Sequence, residues 1–396
     1  MQTISTILTR NRILGMRTPF YYYDLNLLAQ TLAELKTQSS RYGFRVHYAL
    51  KANVNPRILE MIKEFGLGAD CVSGNEVKLA IETGFEPSDV VYAGVGKTDE
   101  EINLALDNDI LCFNCESIAE LEVINELAVI KNKIARIALR LNPNVDANTH
   151  TYISTGLKEN KFGIDLRHLN PAIDFVKQSQ NMELMGLHFH IGSQITNLEV
   201  FKNLCLKINI IQQDLLKKGI TPPIINVGGG LGIDYNAPDQ HPIADFEGYF
   251  EIFAKHLKIM PGQEVHFELG RSVVAQCGSI ATRVLYIKEG IEKDFIIIDA
   301  GMNDLIRPAL YQAEHAIDSI KTKGIKKEYD VVGPVCESSD SFAKAIRLPI
   351  CKRGDMLLIR STGAYGEVMS SNYNLRTKAK AYYSKDFEYE QLSSVS

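Results

Sequence analysis

The chain has 396 residues, 45% hydrophobic and 23% charged, and its 43 basic against 48 acidic side chains leave a net charge of −5. That composition is globular with ample material for a core, and the length predicts one large barrel with an appendage or two domains. There is no basic block with interleaved aromatics, and the longest apolar runs, such as 295–298, are strand-sized, so neither a nucleic-acid partner nor a membrane span is expected.

The first 23 residues lack acids and carry Arg10, Arg12 and Arg17, but no apolar stretch or cleavage signature accompanies them, which reads as a cytoplasmic protein. Cysteines at 71, 112, 115, 205, 277, 336 and 351 are odd in number and scattered. In a chain this long they predict reduced thiols rather than a disulfide framework.

In chain order, the stretch Arg17-Thr18-Pro19-Phe20-Tyr21-Tyr22-Tyr23-Asp24 predicts a short strand, with Asp24 capping a helix from near Leu25. Strand-like runs then recur at 45–50, 68–71, 90–93, 110–113, 135–141, 185–190, 224–227 and 264–268. Between them, 56–65, 74–83, 117–127 and 198–217 carry apolar residues at three- and four-residue spacing, the period of a helix. Eight strand-helix units predict an α/β fold of the (β/α)8 TIM-barrel type rather than a doubly wound sheet. After Arg271 the strand runs 280–287, 294–299, 329–332 and 356–360 are separated by loops with little helical pattern, which predicts a mostly β second domain. The expected division is a barrel over 25–270 and a β domain over 271–396 that the N-terminal strand of 1–24 joins.

The run 45–50 stops at a lysine, within Tyr48-Ala49-Leu50-Lys51-Ala52-Asn53, and Asn55-Pro56 follows. Most strand-end lysines simply reach water, but an amine beside desolvating walls can have its pKa lowered and act as a Schiff-base nucleophile. If Lys51 ends the first barrel strand, it lies on the C-terminal face, where barrel enzymes keep their chemistry. Gly228-Gly229-Gly230 follows the seventh strand and Gly270-Arg271 the eighth, the two places where barrels most often bind a phosphate through bare N–H groups. The triple glycine is not a dinucleotide fingerprint, because Ile233 stands where the third glycine of that motif belongs.

Glu268 ends the eighth strand and points inward, so its carboxylate needs a cation, either Arg271 or a protonated pyridine nitrogen. His188 and His190 share a face of the sixth strand, as two metal ligands would. The other strand ends, Lys51, Asp70, Asn142 and Glu268, supply too few histidines for a metal-dependent hydrolase, so no metal is expected and His190 is read as stacking on a flat cofactor. Gly94-Val95-Gly96-Lys97-Thr98 fails as a phosphate loop because Val91 occupies its first glycine position. Cys112-Phe113-Asn114-Cys115 lacks the second pair that zinc requires and reads as packing. In the second domain, polar and aromatic residues concentrate at 307–311, 336–340, 363–366 and 370–374. Cys336, beside Glu337, reads equally as an acid–base group or as one more semi-buried thiol.

Taken together, His47 to Asn53, 186–193 ending His190-Ile191-Gly192-Ser193, Gly228-Gly229-Gly230, Glu268-Leu269-Gly270-Arg271, Cys336-Glu337-Ser338 and Gly363-Ala364-Tyr365-Gly366 resemble the diaminopimelate decarboxylases. These belong to the fold-type III pyridoxal-phosphate group that includes alanine racemase and ornithine decarboxylase, and the resemblance runs from about Thr18 to Arg376. Leu269, where proline is commoner, and Glu367-Val368 depart from the family pattern.

The resemblance implies an alanine racemase-like architecture and pyridoxal 5′-phosphate held as a Schiff base on Lys51. His190 would stack on the ring, Glu268 would hold the pyridine nitrogen, and Ser193, Gly229, Gly230, Gly270, Arg271 and Tyr365 would hold the phosphate. It further implies decarboxylation of meso-2,6-diaminopimelate to lysine by a homodimer with shared sites, with Cys336 supplied by the partner subunit as proton donor. Arg271, Arg307, Tyr311 and Tyr365 would take the far carboxylate of the substrate and Glu337 its amine. A related decarboxylase for another amino acid, and a non-catalytic cofactor-binding homologue, are the alternatives. The stretch 156–163 resembles the family's lid.

Overall fold

Four consecutive aromatic residues, all buried, form strand β1 (Phe20–Tyr23). Asp24 follows, and its carboxylate accepts from the backbone N–H groups of Asn26 and Leu27 at 3.0 Å, starting the helix Leu25–Ser40 as a side-chain cap should. The computed structural model describes residues 13–143, 161–320 and 324–386. Two compact units divide the chain, Leu32–Gly232 with Asp245–Gly270, and Met1–Thr31 with Ile233–Ala244 and Arg271–Ser396.

The first unit is a closed barrel of eight parallel strands in chain order: β2 (Arg45–Ala49), β3 (Gly68–Cys71), β4 (Val90–Tyr92), β5 (Cys112–Cys115), β6 (Ala135–Leu141), β7 (Met182–Phe189), β8 (Ile224–Asn226) and β9 (Glu264–Leu269). It closes where β2 meets β9, with His47 opposite Glu268 and Tyr48 opposite Leu269. Each strand faces barrel interior on one side and helices on the other, which is why the runs are apolar throughout rather than alternating. The helices between them start and stop on local signals. Ser73 accepts from Glu76 N to open Gly74–Thr83, which Gly84 closes at φ 89. Thr98 and Glu101 form a reciprocal capping box on Asp99–Asp107. Outside β9, Phe267 is enclosed by Phe44, Tyr249, Phe250 and Phe253 with ring centroids 4.9–5.6 Å away, so the last strand is locked by its aromatic face.

The second unit contains β10 (Gly278–Lys288), β11 (Phe295–Ile298), β12 (Ile317–Ser319), β13 (Lys326–Val332), β14 (Ser341–Pro349), β15 (Met356–Ile359) and β16 (Lys380–Tyr383). Their order is β12-β15-β10-β11-β13-β14, and β1 pairs antiparallel with β10 and parallel with β16. The strand expected at 110–113 sits two residues later, because Asp109 takes a left-handed φ of 49° and holds 110 and 111 in the approach to it. Strands β12, β14 and β16 have no counterpart among the expected runs. Of the lid-like stretch, 156–160 lie outside the described residues. Just beyond them, the Phe162 ring lies 4.6 Å from the Arg140 guanidinium, and Gly163 donates its N–H to Glu116 at 2.7 Å. Among the described residues no helix is long and apolar enough to cross a membrane.

Candidate active site

The barrel's C-terminal face is built from the residues just past its strands. β2 ends by tightening into a single 3₁₀ turn, Leu50–Ala52, whose two flanking side chains are buried while Lys51 projects out with its side chain 40% exposed. The phenol of Tyr48 donates to Asn53 O at 2.9 Å and fixes the turn's exit. Gly270 lies against the turn from the end of β9, where a Cβ would come within 2.9 Å of Ala52 Cβ and 3.1 Å of Ala49 Cβ, so any larger residue would displace the lysine's own backbone. Asp70, at the end of β3 and 1% exposed, sits 3.9 Å from Lys51 Nζ, and among the described residues neither of its oxygens has a hydrogen-bond partner. Burial and then the charge of Glu268 push its carboxyl well up, against the opposing pull of the Lys51 ammonium.

Glu268 is the best-supported side chain on this face. Asn226 and Asn114 donate to its Oε1 at 2.7 and 3.0 Å, and His188 Nε2 donates to Oε2 at 2.9 Å. The sequence offers Arg271 or a pyridine nitrogen as its partner; within the barrel it takes three further contacts, from β5, β7 and β8. Burial alone would raise this carboxyl, but His188, by charge and hydrogen bond, and then Lys51 hold it well below the usual carboxylate range. A carboxylate has about four acceptor positions. Among the described residues three are used, which leaves one acceptor position for a further donor.

The glycine loop after β8 brings backbone where no side chain could fit. A Cβ on Gly229 would lie 1.9 Å from Glu268 O, and Gly230 has φ 111°, a conformation open in practice only to glycine. Gly229 donates its N–H toward His190 Nδ1 at 3.4 Å, which orients the half-buried imidazole at the end of β7. Burial, then Lys51 and Arg140, push His190 well below its ordinary value, so it presents a neutral ring. Ser193 is half-buried in the loop that follows. An amine, an ionised carboxylate with an open acceptor position, a neutral flat ring and a bare glycine loop are the donor set that a phosphorylated pyridine aldehyde requires, and they occur here on one barrel face.

In the second unit a different group forms. Arg271 and Arg307 are 6% and 5% exposed, and both donate an Nη1 hydrogen to the Tyr235 hydroxyl oxygen, at 2.7 and 2.8 Å. The Tyr365 ring lies 4.8 Å from the Arg271 guanidinium carbon, and Tyr235's ring 4.8 Å from that of Arg307. Tyr311, half-buried, ends the short helix that begins at Arg307. Among the described residues Arg307 has no carboxylate partner, so the cluster holds buried positive charge for an anion to neutralise. Elsewhere in this unit, Cys336 is the one exposed thiol of seven, all free, and Glu337 accepts from the Tyr373 hydroxyl at 2.5 Å. Their turn is held by Asp340, whose carboxylate accepts from Met302 N and Val335 N, each at 2.7 Å.

Several supporting residues escaped the sequence reading. Asn114 was hidden in a C-x-x-C stretch that looked like packing, and its signal was a polar residue inside an apolar barrel strand. Asn226 ends β8 in the same manner. Tyr235 and His315 had no signal beyond their residue types.

Comparison with known proteins gives a consistent answer. Residues 28–275 match the family described as pyridoxal-dependent decarboxylase, pyridoxal binding domain. The diaminopimelate decarboxylase of Bacteroides thetaiotaomicron is 53% identical over 372 residues, covering 94% of this chain and 96% of that protein, and that of Aquifex aeolicus is 41% identical, covering 91% and 85%. The crystal structure of diaminopimelate decarboxylase from Helicobacter pylori complexed with L-lysine superposes with a TM-score of 0.89 at 40% identity, covering 95% of this chain and 94% of that one. A lysine/ornithine decarboxylase from Vibrio vulnificus, at 21% identity and a TM-score of 0.81, shares the fold.

Proposed function

The chain belongs to the diaminopimelate decarboxylases within the pyridoxal-dependent decarboxylase family, and we propose that it converts meso-2,6-diaminopimelate to L-lysine and carbon dioxide, the last step of lysine biosynthesis, as a cytoplasmic homodimer. Its cofactor is pyridoxal 5′-phosphate, which Lys51 would hold covalently and which would supply an electron sink for the pair left on the α-carbon when carbon dioxide departs. Glu268, which accepts from Asn114, His188 and Asn226, would hold the proton on the cofactor's pyridine nitrogen. His190, its imidazole held well below its ordinary value by burial, would stack on the ring face without adding a charge that competes with that nitrogen. Gly229, Gly230 and Gly270, with Ser193, Arg271 and Tyr365, take the phosphate.

Lys51 would give way to the substrate's amine, and Asp70, 3.9 Å from its Nζ, lies where it could steady the released lysine. Cys336 of the partner subunit gives its thiol proton to the α-carbon; its exposure in this chain fits a group that works in a second copy. Arg271, Arg307, Tyr311 and Tyr365 hold the distal carboxylate, and Glu337 the distal ammonium.

The observation that carries the choice of substrate is the buried Arg307, without a carboxylate partner among the described residues. A simple diamine precursor such as ornithine would leave that charge uncompensated, which a specific site penalises heavily. Carbon dioxide release by the purified protein tests the reading. Turnover with meso-2,6-diaminopimelate and negligible turnover with ornithine or arginine are expected, and the reverse order would overturn it.

A further inference from the structure

Two buried guanidinium groups repel one another, and something must keep both aimed the same way. In this chain that task falls to residues outside the motifs of the family resemblance. The Tyr235 hydroxyl oxygen accepts from Arg271 Nη1 at 2.7 Å and from Arg307 Nη1 at 2.8 Å, so a single phenol oxygen fastens both cations. The second Nη1 hydrogen of Arg307 goes to His315 Nε2 at 2.9 Å. His315 Nδ1 lies 2.8 Å from Arg360 O, a carbonyl that can only accept, so the ring proton sits on Nδ1 and Nε2 keeps its lone pair for Arg307. Burial, and then the Arg307 charge, push His315 down to about 3, which secures that neutral form.

With both Nη1 hydrogens committed, Arg307 cannot rotate about its terminal bonds, and the rest of its planar fork is presented in one orientation. The support is itself anchored. Arg360 N donates to Ala316 O at 2.8 Å beside His315, and the Arg360 guanidinium is braced by Asp318 at 2.6 Å and Asp239 at 2.7 Å. Tyr235 and His315 also touch, edge to face, with ring centroids 4.9 Å apart. Tyr235 comes from the loop after the glycine triplet and His315 from the approach to β12, and Ala316 N donates to Tyr235 O at 3.1 Å, which ties the two segments to each other.

We propose that Tyr235 and His315 are positioning residues that set the enzyme's affinity for the distal carboxylate by holding Arg271 and Arg307 as one preorganised pair; this rests on the reading that Arg307 receives that carboxylate. Hydrogen bonds to charged groups contribute about 1.5–3 kcal/mol, so loss of one support shifts affinity by roughly ten- to a hundred-fold.

The test compares steady-state kinetics of the cofactor-loaded protein for meso-2,6-diaminopimelate in Tyr235→Phe, His315→Leu, His315→Gln and Arg307→Gln, with thermal melting and cofactor absorbance measured alongside. Tyr235→Phe and His315→Leu are expected to raise KM about ten- to a hundred-fold with kcat changed far less. His315→Gln, which keeps an acceptor for Arg307, should recover most of the affinity that leucine loses. Combining Tyr235→Phe with Arg307→Gln should add little to Arg307→Gln alone. If Arg307→Gln raises KM while Tyr235→Phe and His315→Leu leave it unchanged, the positioning role is overturned and the substrate reading stands. An unchanged KM in Arg307→Gln overturns the reading beneath it. Should Tyr235→Phe melt before it can be assayed, the leucine and glutamine variants of His315 decide, since equal KM values in the two refute the role assigned to its acceptor nitrogen.

Discussion

Replacing Glu268 by glutamine separates its electrostatic duty from its packing, because the two side chains have nearly the same shape. Glutamine Oε1 can accept from Asn114 and Asn226 as the carboxylate does. Its amide nitrogen then donates toward His188 Nε2, so the ring must carry its proton on Nδ1, a buried atom with no hydrogen-bond partner among the described residues. One buried donor left unsatisfied costs about 1–3 kcal/mol, a modest drop in the melting temperature of the apoprotein. The catalytic loss is larger. Removing the charge opposite a buried, protonated nitrogen costs about 3–5 kcal/mol, and at tenfold per 1.36 kcal/mol kcat should fall by roughly two to four orders of magnitude. Carbon dioxide release gives the rate, and absorbance with borohydride trapping shows whether the cofactor remains on Lys51. A Glu268→Gln protein that loads cofactor and keeps kcat within tenfold of the original would show that the ionised carboxylate is not the group that matters.

Gly229→Ala places a Cβ 1.9 Å from Glu268 O, so the loop must move; a stability loss of about 1–3 kcal/mol or more and poor cofactor retention are expected, read from urea midpoints and cofactor titration. Cys336→Ala should leave folding and cofactor loading intact while kcat falls roughly 10²- to 10⁴-fold, the usual share of a proton donor. Mixing it with Lys51→Ala and allowing subunits to exchange should restore about a quarter of the original activity, since half the dimers are then mixed and each has one intact site; no recovery would argue against sites shared between subunits. His47 is held down to about 4, first by burial and then by His266. Its folded pKa lies below its unfolded one, so it contributes stability above about pH 6.5 that is lost as pH falls toward 4. His47→Gln should flatten the acid limb of a stability–pH curve by up to one proton across that window, and an unchanged slope would assign acid lability to other groups.

The barrel could be read from the sequence because its physics is local and repetitive. A strand buried on both faces must be apolar along its length, and a surface helix must be apolar every third or fourth residue, so eight strands and their helices announce themselves by period. The β strands that went unread break that rule. β14 carries Lys344 and Arg347 among mostly half-buried and exposed positions and ends at Pro349, β12 has three residues, and β16 has no fully buried residue. Each is defined by its neighbours' backbone rather than by its own side chains, as expected for strands at or near a sheet's edge.

The site divides in the same manner. Lys51, the glycine triplet and Glu268 stood out because an amine, bare backbone and a carboxylate at barrel strand ends conflict with a purely structural role. Their supports do not conflict with anything locally. Glu268 takes its hydrogen bonds from residues 42, 80 and 154 positions away, and Arg307 is fastened to one 72 positions away and another only 8 away that lies in an unpatterned loop. Satisfying a buried charge requires partners, but nothing in the period of a chain says from which strand they come. The candidate site residues were therefore legible as exceptions to the pattern, whereas their hydrogen-bond partners, drawn from distant strands and loops, carry no mark in the period of the chain.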